Sequence, residues 1–272
     1  MKSTKSIFIA FMLNLCFAVF EFIGGAVTGS VAIMSDALHD MGDAAGIGIS
    51  YLLERKSSLP PDEAHPLGYA RYSVLGSAFL NLVLLLGSAA VIYKAVLRII
   101  NPFTVHHGGM IIFAVLGVII NSLAALFTHR GKSLNQKAVS LHMLEDVLGW
   151  IVVLAGAIAI KFTNLAIIDP LMSIGTAIFI MIHSVGNLRE ATNIFLEKAP
   201  SDINIRELSE KLLTVPEIKE IRRIQIWTTD GKVHCAALHI ATSEDSTEAK
   251  QKIRKLLSDY GIGNITVETD II

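Results

Sequence analysis

The sequence predicts an α-helical membrane protein with six transmembrane helices, followed by a small α+β domain. Three observations predict it. More than half of the chain, 52% of 272 residues, is hydrophobic and only 17% is charged, which is too apolar for a soluble domain of this size. Six stretches reach the roughly 20 mostly apolar residues that a hydrocarbon core of about 30 Å requires. Beyond about Asn187 the apolar runs stop, and shorter strand-like and helical segments of balanced charge take over.

The six stretches are 7–28, 32–54, 73–99, 110–129, 138–160 and 166–188. Lys2 and Lys5 precede the first, but no small-residue cleavage site follows a short apolar core, so it reads as a retained span. Thr28-Gly29-Ser30 turns the chain from the first span to the second, and the region of Asn164 turns it from the fifth to the sixth. The link from Glu54 to Arg71 is longer and polar, and Pro60, Pro61 and Pro66 forbid continuous helix there. Gly24-Gly25, Gly46 and Gly48 read as points of close helix packing.

Lys2, Lys5, Arg55, Lys56, Arg71, Arg130, Lys132 and Lys137 all fall on the side shared by the N-terminus and the even-to-odd loops. Lys94, Arg98 and Lys161 oppose them, but sit near helix ends where they can snorkel outward. Excess lysine and arginine in short loops marks the cytoplasmic side. The chain is therefore expected as a multi-pass protein of the cell (inner) membrane, within the lipid bilayer, with both termini cytoplasmic. Residues 1–188 make up the expected membrane domain and 189–272 the cytoplasmic one.

In the tail, residues 202–214 read as a helix with Ser201 and Asp202 as its cap. Ile221 to Thr228 and Val233 to Ala241 read as strands around a turn at Asp230-Gly231. A second helix, Thr247 to Tyr260, closes at Gly261, and Ile265 to Ile271 gives a last strand. This αββαβ order suits a ferredoxin-like or metallochaperone-like sheet with helices on one face.

Composition also excludes function classes. A net charge of -1, with no basic stretch interleaved with aromatics, argues against nucleic acid as a partner. The two cysteines, Cys16 and Cys235, are far apart in the chain and supply neither a disulfide framework nor a thiolate cluster. Any metal site must use nitrogen and oxygen.

Two spans carry matched ionisable pairs, His39 with Asp43 and His142 with Asp146, each four residues apart. Ionisable groups at membrane depth are costly and mark functional sites. In a helix, residues four apart stack on one face, so two such helices side by side offer two imidazoles and two carboxylates. That is a tetrahedral ligand set for zinc. Two ionised aspartates balance a divalent cation, and when it leaves, protons compete for the same groups. A polar residue in a membrane helix can also serve only to bond a neighbouring helix, but two matched pairs argue against that reading. Asp36, Asp40 and Glu145 crowd the same spans, and a ligand set using Asp36 with Asp40 stays open.

Together, the six spans, SDALHDMGDA in the second, LHMLEDVLG in the fifth, IFLEKAP leading into the tail and VPEIKEIRRIQIW within it resemble the cation diffusion facilitator family. The resemblance implies a homodimeric exporter of divalent metal, usually zinc, driven by proton exchange through alternating access. It makes His39, Asp43, His142 and Asp146 the transport ligands, zinc the cargo and a candidate regulator, and protons the counter-ion. Histidine in both pairs is similar to the zinc-preferring branch, and nitrogen ligands suit zinc better than magnesium or calcium. Cadmium, cobalt, nickel and ferrous iron share that ligand chemistry. The tail then serves regulation and dimerisation.

Some family members bind a further zinc in the second-to-third loop through aspartate and two histidines. Here Asp62 and His65 occur, with Tyr69 where the second histidine would stand. In the tail, His234 and His239 are five apart on one strand and so point to opposite sides. His239 with Asp270 is the remaining candidate pair, Glu268 lies nearby, and Arg222 stands where many relatives have a histidine. His106 and His107 fall in the outer loop, and His129 has no histidine-rich tract around it. No enzyme is expected, since the HExxH motif of a membrane metalloprotease is absent. The alternative from another class is a membrane-bound metal sensor or scaffold that does not transport.

Overall fold

A computed structural model describes residues 2–28, 31–101, 110–129, 133–163, 167–243 and 247–272. Its first part consists of long helices: α1 (Lys2–Thr28), α2 (Val31–Ser57), α3 (Arg71–Ile100), α4 (Met110–His129), α5 (Leu134–Thr163) and α6 (Ile168–Phe195). The shortest, α4, has 20 residues, so each reaches about 30 Å at a rise of about 1.5 Å per residue. Among the described residues, Ser3–Gly24 and Arg71–Leu97 are long and apolar enough to cross a membrane, and Val115–His129 is a shorter apolar helix. The α2 helix carries Asp36, Asp40 and Asp43 along its length.

Helix ends are set by local chemistry. The second-to-third link runs from 58 to 70 without helix, as its three prolines require. The α5 helix starts at Leu134, four residues earlier than the apolar stretch, because the Ser133 hydroxyl caps it by accepting the Gln136 N–H at 3.1 Å. Ser133 also meets Ser3 of α1 at 2.7 Å.

The helices close on one apolar cluster, Ile7, Ala10, Ile47, Leu80, Ala124, Ala138, Val139 and Met143, drawn from α1 to α5. Leu84, Leu141 and Ile180 form a second among α3, α5 and α6. Among the described residues, two glycines permit the closest approaches. A Cβ at Gly117 would lie 2.5 Å from Trp150 Nε1, and one at Gly76 would lie 2.8 Å from the Asn135 amide. Neither was among the glycines expected to pack closely. Gly48 was, and a Cβ there would meet the Phe11 ring at 3.1 Å.

The chain divides between Ala191 and Thr192. The second unit holds α7 (Ile205–Leu212), β1 (Ile218–Thr228), β2 (His234–Thr242), α8 (Thr247–Asp259) and β3 (Ile262–Ile271). The sheet order is β1-β2-β3. The first pair is antiparallel, with Ile226 opposite Ala236, and the second is parallel, with Leu238 opposite Val267. Leu208 and Leu212 of α7 and Ile253 and Leu257 of α8 pack with Ile226, Leu238 and Ile240 of the sheet into one core.

The expected cap of α7 is corrected here. Asn204 is the cap, its side chain accepting the Arg206 and Glu207 N–H groups at 3.1 and 3.3 Å. Asp202 is drawn away to His234, at 3.3 Å. The β1–β2 turn does form at Asp230-Gly231, where Gly231 has φ of 81° and Asp230 Oδ1 accepts the Lys232 and Val233 N–H groups at 2.9 Å.

Candidate metal centre

On α2 the helical period sets Asp40, Asp43, Ile47, Ser50 and Glu54 on one face, and all five are buried. On α5 the same spacing aligns Asn135, Val139, His142 and Asp146. Asp43 Oδ1 and His142 Nε2 are 3.8 Å apart. One ligand atom each of Asp43, His142 and Asp146 lies within 4.8 Å of the others. Bonds of about 2.0–2.1 Å at a tetrahedral zinc place ligand atoms about 3.3 Å apart. Small side-chain rotations therefore suffice to bring these three groups onto one ion.

His39 is one turn before Asp43 on α2, but its side chain lies outside the described residues, as does that of Asp36. The structure thus brings together three of the four expected ligands. Two further carboxylates neighbour them. Asp40 is buried, and Glu145 accepts a hydrogen bond from Ser88 of α3 at 3.3 Å. The chemistry on offer is hard oxygen plus one borderline nitrogen in a water-poor seam, which suits a divalent cation of the zinc type.

Between this cluster and the Glu54 end of α2, Ile47, Leu80 and Val139 are all fully buried and form an apolar layer. Beyond it lies a polar knot that the sequence reading missed. The Glu54 carboxylate accepts the Ser73 hydroxyl at 2.5 Å and the Asn135 amide at 3.3 Å. Asn135 also donates to the Ser50 carbonyl at 2.8 Å and accepts the Ser50 hydroxyl. A signal was present in the spacing. Ser50 and Glu54 are seven and eleven residues past Asp43, and Asn135 is seven before His142, so they share the faces of the candidate ligands.

The loop pair is close but committed. His65 Nδ1 is 3.6 Å from Asp62 Oδ1. Asp62 already accepts the His65 N–H at 2.7 Å and the Tyr69 hydroxyl at 2.6 Å, and the His65 ring stacks on Tyr69 at 4.1 Å. The Tyr69 bond holds the Asp62 carboxyl below its ordinary range and raises the Tyr69 phenol. Tyrosine thus closes the loop by hydrogen bonding at the place where a metal ligand was sought.

In the tail, His239 Nε2 meets Asp270 Oδ2 at 3.0 Å. The same oxygen is bonded by Arg222, so a cation of the chain itself occupies part of this site. His234 meets Asp202 instead, while Glu268 is opposite His239 in the ladder. His106 and His107 lie outside the described residues, and His129 is exposed at the end of α4.

Residues 7–196 match the family described as the cation efflux transmembrane domain. The chain is 31% identical to the cation efflux system protein CzcD of Alcaligenes sp. (strain CT14), across 98% of this chain and 86% of that protein. It is 32% identical to the zinc transporter ZitB of Yersinia pestis, across 99% and 88%. It is 26% identical to a cadmium, cobalt and zinc/H(+)-K(+) antiporter of Bacillus subtilis (strain 168), across 98% and 88%.

Proposed function

Since the chain belongs to the cation efflux family, we propose that it exports zinc from the cytoplasm in exchange for protons, through a site formed by His39, Asp43, His142 and Asp146. Members of this family are membrane transporters of divalent metal cations and not enzymes. The finer reading assigns six membrane spans to α1–α6, both termini to the cytoplasm, and a homodimer to the working state. Cadmium, cobalt, nickel and iron are further cargoes that this ligand set accepts.

The observation that carries the reading is the convergence of Asp43, His142 and Asp146 on one another from two helices. His39 is one turn from Asp43 and supplies the fourth ligand. With two carboxylates and two neutral imidazoles, the loaded site balances a divalent charge, and unloading leaves two anions that protons neutralise. Alternating access then needs the seam between α2 and α5 to open on one side at a time. On this reading the apolar layer and the Ser50, Glu54 and Asn135 knot, which bond α2 to α5, lie on the cytoplasmic side of that seam and have to part to admit the ion.

The tail is assigned to dimerisation and regulation, with His239 and Asp270 as its candidate zinc ligands. Asp62 and His65 are the candidate loop ligands. Both pairs are weaker than the membrane site because each offers two ligands and shares a carboxylate with a competing donor, Arg222 or Tyr69.

The test is zinc-driven proton movement in sealed vesicles containing the purified full chain and a trapped pH dye. Proton flux that starts on zinc addition and follows the zinc gradient supports the antiporter. Zinc binding without flux favours a metal sensor or scaffold.

A further inference from the structure

The polar lining of the bundle does not end at α2 and α5. Asn121 of α4 and Asn14 of α1 are each only 1% exposed. Both amide atoms of Asn121 and the Asn14 carbonyl oxygen have no hydrogen-bond partner. Such groups are costly in an apolar interior, and a packed helix seam could have used leucine at either place.

Helix register locates them. Trp150 of α5 lies against Gly117 of α4, and Phe17 of α1 meets the same ring edge-on at 6.0 Å. The helices α4 and α5 are joined by a short connection and run antiparallel. Moving one turn from that contact towards the cytoplasmic end leads from Gly117 to Asn121 and from Trp150 to Asp146, on the same two faces. Asn14 is three residues before Phe17 and reaches the same level from α1. Asp146 Oδ2 is itself buried and unpartnered. An unpaired amide and an unpaired carboxylate oxygen thus lie on facing helix faces at one depth.

We propose that Asn121 is a positioning residue for the cargo site: its Nδ2 donates to Asp146 Oδ2 when the other carboxylate oxygen binds the cation, with Asn14 accepting the second N–H of the same amide. A metal-bound carboxylate needs such an outer partner to hold its orientation and to spread its charge. Ion binding then pairs three buried polar groups that are unpaired without it. The inference rests on the reading of Asp146 as a cargo ligand.

The experiment compares the full chain in detergent with Asn121→Leu, Asp146→Asn and the double variant, by thermal melting in chelator and in zinc and by calorimetric zinc titration. Asn121→Leu replaces an unpaired amide by an apolar side chain of similar volume, so its melting point in chelator is expected to rise. Its zinc affinity is expected to fall about 10- to 100-fold, and the upward melting shift caused by zinc to shrink. A purely structural role for Asn121 predicts the reverse, a lower melting point in chelator with an unchanged zinc shift, and would overturn the inference. An equal loss of zinc affinity from Asn121→Leu in the Asp146→Asn background would overturn it too, because the effect would not pass through Asp146. If Asn121→Leu does not fold, Asn121→Ala carries the same comparison of zinc affinity with and without Asp146. Zinc affinity unchanged in Asp146→Asn alone would instead overturn the underlying site assignment.

Discussion

Asp43 of α2 and His142 of α5 face each other across a buried seam, Oδ1 to Nε2, at 3.8 Å. They lie 99 positions apart in sequence, and the packing of two helices brings them within reach of one ion. Asp146 joins them from one turn further along α5. Loss of His142 is expected to cut zinc affinity at least 10-fold, as loss of a ligand or its immediate support does. His142→Ala measured by calorimetric zinc titration checks this, and an unchanged affinity would remove His142 from the site.

Gly117→Ala is expected to destabilise the bundle by about 1–3 kcal/mol, the usual range for an overpacked interior. The cause is the 2.5 Å approach of the new Cβ to Trp150 Nε1. Combining it with Trp150→Leu should recover most of that loss relative to Trp150→Leu alone. Thermal melting in detergent reads both, and additive losses would contradict the contact.

Glu54→Ala leaves the Ser73 hydroxyl and the Asn135 amide without their shared acceptor. A cost of about 1–3 kcal/mol is expected from the buried unsatisfied donors. Glu54→Gln keeps an acceptor oxygen and should cost less. Denaturation of the two variants side by side tests the knot, and equal losses would mean that hydrogen bonding to Glu54 is not its basis.

The loop makes a pH prediction. Hydrogen bonds from Tyr69 and the His65 N–H lower the Asp62 pKa. A depressed folded value means that the associated stability is fully present above the unfolded carboxylate range, about pH 4, and is lost as pH falls through the lowered value. Tyr69→Phe should move the Asp62 titration midpoint upward, as read by carbon NMR of labelled aspartate. An unmoved midpoint would contradict the bond.

Arg222→Ala is expected to raise zinc binding by the tail, since it frees the Asp270 oxygen that His239 also contacts. A zinc titration of the full chain carrying Asp43→Ala and Asp146→Ala, with and without Arg222→Ala, measures it. No added binding would leave His239 and Asp270 as a structural pair.

The fold and the site were legible in the sequence to different depths. The αββαβ tail followed from alternation and turn chemistry, which are local. The proximity of Asp43, His142 and Asp146 was foreshadowed by one spacing rule, four residues on a helix face, applied to residue types that membrane helices avoid. The Ser50, Glu54 and Asn135 knot was not legible in the same way. Serine and asparagine near helix ends are common, and their bonds span 85 positions. The α7 cap shows the same limit, because Ser201, Asp202 and Asn204 are all good caps by type. The choice fell to Asn204 once Asp202 was engaged by His234 on a distant strand. Gly117 carried no signal until the Trp150 ring was found against it.

On the proposed mechanism, Asp43 and Asp146 carry both the cation and the protons exchanged for it. Zinc-driven proton flux in sealed vesicles, compared between the unmodified chain and the Asp43→Ala, Asp146→Ala double variant, tests it most directly. Flux is expected in the first and none above empty vesicles in the second. Flux that persists in the double variant would contradict it.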